Sequence, residues 1–164
     1  MDDMNISRCF SVLHRRSQLF VTAACERLQL TYSEYVLLMR VFAVEGLSQD
    51  ELAACLFMDK AIVTRSVALL EKKGMIQRAT DSTDRRVRHI YPTERAKAEK
   101  EYLESIIYTW VDYLQQDMTA KEIDAMTKGF LLVTERAGRA NIAELVRKLP
   151  VKGDDSHGAY PESH

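Results

Sequence analysis

The sequence predicts a mainly α-helical protein with one small β-hairpin wing: a winged helix-turn-helix flanked by long helices. Three observations carry this prediction. Residues 59–73, DKAIVTRSVALLEKK, place Val63, Val67 and Leu70 on one helical stripe at spacings of four and three, and Lys60, Ala61, Thr64, Arg65 and Ala68 on another. Gly74 stands where a glycine ends a helix. After it come a short apolar run (75–79), a polar turn (81–84), the pair Arg85-Arg86 and a second run (87–91), the pattern of a hairpin with arginines near its tip. Long apolar stripes at helical spacing lie on both sides of this block.

In chain order, Ile6, Cys9, Phe10, Leu13, Phe20, Val21, Ala24 and Leu28 recur mostly at three and four, describing one amphipathic helix over 6–28. A second helix opens at Thr31-Tyr32-Ser33-Glu34, a capping box in which hydroxyl and carboxylate satisfy free backbone donors reciprocally, and runs to Gly46. Ser48-Gln49-Asp50-Glu51 opens a short helix ending near Phe57. With 59–73 this makes three closely spaced helices, the last two a helix-turn-helix, before the hairpin. Beyond Thr93, Leu103, Ile106, Ile107, Trp110, Val111 and Leu114 form one stripe. A third capping box, Thr119-Ala120-Lys121-Glu122, opens another that reaches Val146. Both patterns read as helices of more than twenty residues.

With 164 residues, 46% of them apolar and 29% charged, the chain can bury a core of ordinary globular composition. No apolar run approaches the roughly 20 residues that span a bilayer, and MDDMNISR lacks the basic start and apolar middle of a signal peptide, so a cytoplasmic location is expected. Three cysteines without a CxxC spacing argue against a disulfide framework and a zinc site. There is no Gly-rich phosphate loop, GxSxG or HExxH, and the histidines (14, 89, 157, 164) are scattered. Neither an enzyme nor a cofactor is expected.

A helix with a polar outer face followed at once by an arginine-tipped hairpin can hold duplex DNA in two places, the helix in the major groove and arginine in the electronegative minor groove. Charge agrees: residues 59–95 hold nine lysines and arginines against five acids, a net of +4, although the whole chain is −1. Lys60, Ala61, Thr64 and Arg65 would face the major groove, with Arg65 suited to a bidentate guanine contact. Lys72, Lys73 and Arg88 read as phosphate contacts or solvated charges. A winged helix used for protein contact without an operator is the alternative.

LEKKGMIQR followed by DSTDRRVRHIYPT resembles the signature of the MarR family of bacterial winged-helix transcription regulators, with Leu70, Glu71, Lys72, Lys73, Gly74, Asp84, Arg85, Arg86 and Thr93 in matching places. The resemblance continues through LQLTYSEYVLLMRV and LSQDELAACL and covers residues 6 to about 148. Pro92 and Ala96 depart from it, standing where leucine and glycine are usual. The resemblance implies a homodimer on a pseudo-palindromic operator, acting as a repressor released by a small aromatic ligand or an oxidant. It also implies that one of Arg85 and Arg86 enters the minor groove while Asp84 helps fix the other.

The domains expected are an N-terminal dimerisation helix (1–30), a winged-helix DNA-binding domain (31–92), C-terminal dimerisation helices (93–149) and a polar, Gly- and Pro-broken tail (150–164) read as disordered. So long an apolar stripe calls for a second chain or for an intrachain bundle. For an effector or redox site the candidates are Cys9, His14, Tyr32 and Tyr35. A peroxide-sensing branch of the same family carries a reactive cysteine-phenylalanine pair near the place of Cys9-Phe10, with a tyrosine like Tyr32, but Leu13 departs from that pattern. Core packing is the competing role for Tyr32 and Tyr35, a surface or satisfied core position for His14, and burial is the role favoured for Cys9.

Overall fold

A computed structural model describes residues 3–80 and 87–150. The order is α1 (Asp3–Ala24), a 3₁₀ turn (Glu26–Leu28), α2 (Tyr32–Ala43), α3 (Gln49–Leu56), α4 (Lys60–Lys72), β1 (Ile76–Thr80), β2 (Arg88–Pro92), α5 (Glu94–Ala98), α6 (Lys100–Leu114), α7 (Ala120–Gly138) and α8 (Ile142–Arg147). This is the helical fold with a two-stranded antiparallel wing that the patterning predicts. Among the described residues, no helix is long and apolar enough to cross a membrane.

All three capping boxes form. Thr31, Ser48 and Thr119 each accept from the backbone N–H three residues on, and Glu34, Glu51 and Glu122 reach back to the cap amide. Phe57 ends α3 in the left-handed region (φ 51°), and Gly74 after α4 has φ 68°, a conformation that costs glycine little. Asp59 caps α4 by accepting from the Ala61 N–H at 2.7 Å.

The strands pair Ile76 with Pro92 and Thr80 with Arg88, one residue later than the apolar runs implied. Pro92 is tolerated as the last residue of its strand, beyond the ladder's interior. Ile90 also bridges Leu47, bringing the segment before α3 to the wing. At the junction after the wing, Thr93 donates to the Gly74 carbonyl at 2.6 Å and caps α5. The methyl of Ala96 is fully buried there, where the family resemblance had a glycine.

The chain divides into two compact units, Met1–Asp117 and Met118–His164. In the first, one core joins α1 and α6 to the winged helix: Val21, Cys25, Leu37, Leu38, Val41, Leu52, Val63, Val67, Leu70, Ile90, Leu103 and Ile106 are all buried in it. α1 and α6 therefore contribute side chains to the core of 31–92. The first helix is also shorter than its stripe. It stops at Ala24, and Cys25 takes the N–H groups of Leu28 and Leu30 on its carbonyl, with Gln29 at φ 54°.

In the second unit, no residue of α7 or α8 is buried. Phe130, Leu131, Val133, Ile142, Leu145 and Val146 are all exposed. The helices expected to exceed twenty residues are shorter. A break at Glu99 separates α5 from the 15-residue α6, and Asn141 caps α8 after the 19-residue α7. An asparagine whose side chain accepts from the Glu144 N–H starts a new helix more readily than it continues an old one. The tail read as disordered lies outside the described residues except for Pro150.

Candidate nucleic-acid interface

The second helix of the helix-turn-helix, α4, is held by its buried side. Val63, Ser66, Val67 and Leu70 pack inward, which turns Lys60, Ala61, Thr64, Arg65 and Ala68 out to solvent together. Arg65 makes no side-chain hydrogen bond or ion pair with the described residues. Its neighbours are engaged: Lys60 pairs with Asp50 at 2.7 Å, and the Thr64 hydroxyl donates to Gln49 Oε1 at 3.2 Å. Both partners belong to the first turn of α3. No local pattern signals them, because side chains ten and fifteen positions apart meet only once the helices cross.

The wing is braced from two sides. Arg78 of β1 forks onto the Glu71 carboxylate, its Nε donating to both oxygens at 3.1 Å, and this pairing holds the Glu71 carboxyl below the usual range. His89 of β2 donates from Nδ1 to the Gly46 carbonyl at 2.6 Å. Gly46 itself has φ 81°, and a Cβ there would come within 3.1 Å of the Tyr91 hydroxyl. Arg88 is exposed and lines a polar recess of about 340 Å³ with Ser48, Gln49, Asp50 and Val87, so the base of the wing and the start of α3 share one surface. Asp84, Arg85 and Arg86 lie outside the described residues.

Lys73 is not the phosphate contact or solvated charge that its sequence suggests. Its ammonium is spent on the Glu34 carboxylate (2.7 and 2.8 Å) and the Gln29 carbonyl (2.5 Å). Lys72 remains exposed.

The four effector candidates are not gathered into one cavity. Tyr35 is buried, and its hydroxyl donates to the Leu103 carbonyl at 3.1 Å; burial first, then nearby Cys25, pushes the phenol up to about 12. It is a core residue. His14 meets the Tyr32 ring edge-on at 5.9 Å, and Tyr32 lines a shallow recess with Arg15, Gln18, Leu19 and Thr22. Cys9, for which burial was expected, is exposed. Ile6 and Phe10, which share its stripe, are exposed as well. Cys9 lies in a groove of about 580 Å³ with Val12, Leu13, Trp110, Tyr113 and Leu114, rimmed by Arg8 and Arg16. The buried thiol is Cys25, which desolvation pushes up to about 11 against the pull of Arg27.

A helix-turn-helix with its outer stripe exposed, followed by a braced hairpin, defines a winged-helix module. Residues 30–87 match the model of the MarR family. The chain is 31% identical over 70 residues to the HTH-type transcriptional regulator YybA of Bacillus subtilis, a match covering 43% of this chain and 47% of that protein. It spans about half the length of the curated relatives it matches. Its fold superposes on a MarR transcriptional regulator of Methanosarcina mazei with a TM-score of 0.78 at 23% identity, over 82% of this chain and 97% of that one. A MarR family regulator of Listeria monocytogenes, solved in complex with a 26mer DNA, gives 0.78 at 22% identity over 84% and 91%. Over this segment the chain resembles the MarR family, and the relatives it matches are named transcriptional regulators.

Proposed function

We propose that the protein is a cytoplasmic, sequence-specific DNA-binding repressor that acts as a homodimer on a pseudo-palindromic operator and is released by a small-molecule or oxidant effector. The observation that carries this reading is the outer stripe of α4, where Lys60, Thr64 and Arg65 stand exposed on a helix whose other side is locked in the core. Such a stripe fits the major groove, with Arg65 reaching guanine O6 and N7. Arg88 and the Arg85-Arg86 pair would supply the wing's contacts to phosphate and minor groove. The DNA complex of the Listeria regulator supports the reading by fold.

The exposed apolar faces of α7 and α8 support the dimer, since large side chains left in water on a helix call for a partner surface. On this reading 31–92 binds DNA while 1–30 and 93–149 provide the subunit contacts. A gel-shift screen of fragments from the source genome at fixed salt tests the proposal. Retention of a few fragments, with loss on replacing Arg65, is the expected result. Equal retention of all fragments or of none refutes it.

A further inference from the structure

Two side chains of α3 reach across to the outer stripe of α4. Asp50 takes the Lys60 ammonium, and Gln49 Oε1 accepts the Thr64 hydroxyl proton. A threonine hydroxyl carries one proton and two lone pairs, and on its own it satisfies a donor or an acceptor equally well. With the proton committed to Gln49, Thr64 has only lone pairs and a methyl left for other partners.

We propose that Gln49 is a positioning residue for base recognition: it fixes the polarity of the Thr64 hydroxyl, so that Thr64 accepts from an exocyclic amine (adenine N6 or cytosine N4) and disfavours the carbonyls of guanine and thymine. The inference rests on the DNA-binding reading above and adds to it a residue outside the recognition helix.

Gln49 is well held for this role. It is the first residue of α3, directly after the Ser48–Glu51 capping box. The Ser48 hydroxyl and amide are both bound to Glu51 Oε2 at 2.8 Å, which leaves the Ser48 side chain committed to its own cap. Leu52 and Ala53, one turn on, are buried and fix α3 in the core. Gln49 itself is half-buried, and with Oε1 taken it keeps its amide N–H donors.

The test selects bound sequences from a randomised duplex pool at one salt concentration, using the full chain and the variants Gln49→Leu, Gln49→Glu and Thr64→Val. The selected site and its single-base changes are then titrated. The parent is expected to favour adenine or cytosine at one position by about tenfold. Thr64→Val and Gln49→Leu should flatten that preference and leave the other positions as they were. Gln49→Glu still accepts the Thr64 proton. It should bind more weakly, because a new negative charge faces phosphates, yet keep the parent's preference. Circular dichroism confirms that each variant is folded, and should Gln49→Leu fail there, Gln49→Glu and Thr64→Val carry the comparison.

Gln49→Leu with the parent's preference at every position overturns the inference. So does an equal loss across all base changes, which is the signature of a phosphate contact. A parent that selects no sequence at all overturns the DNA-binding reading instead, a separate failure.

Discussion

Glu34 and Lys73 are 39 positions apart, yet the ammonium sits 2.7 and 2.8 Å from the two carboxylate oxygens. The pair joins the start of α2 to the residue that follows α4, the proposed recognition helix. Glu34 is fully buried, and its oxygen also accepts from the Thr31 amide at 2.7 Å. Burial by itself would raise its carboxyl, but the bonds from Lys73 and Thr31 outweigh it and hold the group below the ordinary carboxylate value.

Because the folded carboxyl titrates lower than the unfolded one, its stabilisation is complete above the unfolded value of about 4.3 and is lost as pH falls through the depressed folded value. The thermal midpoint should fall as pH drops below about 4.3. Glu34→Gln should flatten that dependence and cost roughly 1–3 kcal/mol near neutrality, since hydrogen bonds to charged groups are lost. Thermal melts of both proteins across acid pH check this, and identical slopes would assign the acid transition elsewhere.

Replacing Arg65 by alanine should weaken operator binding by roughly 1–3 kcal/mol and relax preference at one base position, because a base-edge contact is removed. The companion change Arg88→Ala should weaken binding evenly across sequences and reduce the salt slope by about one. Titrations in matched salt distinguish the two, and wild-type affinity in both variants would refute the docking.

At mildly alkaline pH a thiol reagent should label Cys55, which is exposed, and spare Cys25, which is fully buried with its thiol pushed up to about 11. Labelling of Cys25 should appear only with denaturant. If Cys25 reacts as fast as Cys55 in the native protein, the α1–α2 corner opens far more readily than its packing implies.

Sedimentation at micromolar concentration should give a dimer, and bound half-sites should lie about 10 base pairs apart, centre to centre. Charged substitutions at Leu131 and Ile142, both exposed on their helices, should shift the equilibrium toward monomer. A parent that sediments as a monomer would remove the assembly from the proposal.

What could be read from the residues was what neighbouring residues decide. Each capping box is complete within four positions, Gly74 marks its own turn, and the stripe of Val63, Val67 and Leu70 names the buried side of α4 without knowledge of what covers it. Breaks without glycine or proline were not legible. α1 ends at Ala24, where the Cys25 carbonyl turns to the Leu28 and Leu30 amides, and α5 parts from α6 at Glu99, whose carboxylate pairs with Arg27 at 2.5 Å. The Glu34–Lys73 and Gln49–Thr64 pairs depend on tertiary crossings, and nothing in the local pattern distinguishes Lys73 from Lys72 beside it.

The single tryptophan of the chain stands where Cys9 does, in the groove between α1 and α6. Trp110 stacks with Phe20 at 5.1 Å and with Tyr113 at 5.8 Å, and its indole N–H donates to the Ser17 hydroxyl at 2.8 Å. One fluorophore, fixed in orientation and half exposed to a solvent-filled groove, makes the protein its own optical gauge. Its emission should move to shorter wavelength when a ligand or a second subunit displaces water from the groove. DNA held by α4 and the wing, which do not line it, should leave that emission unchanged.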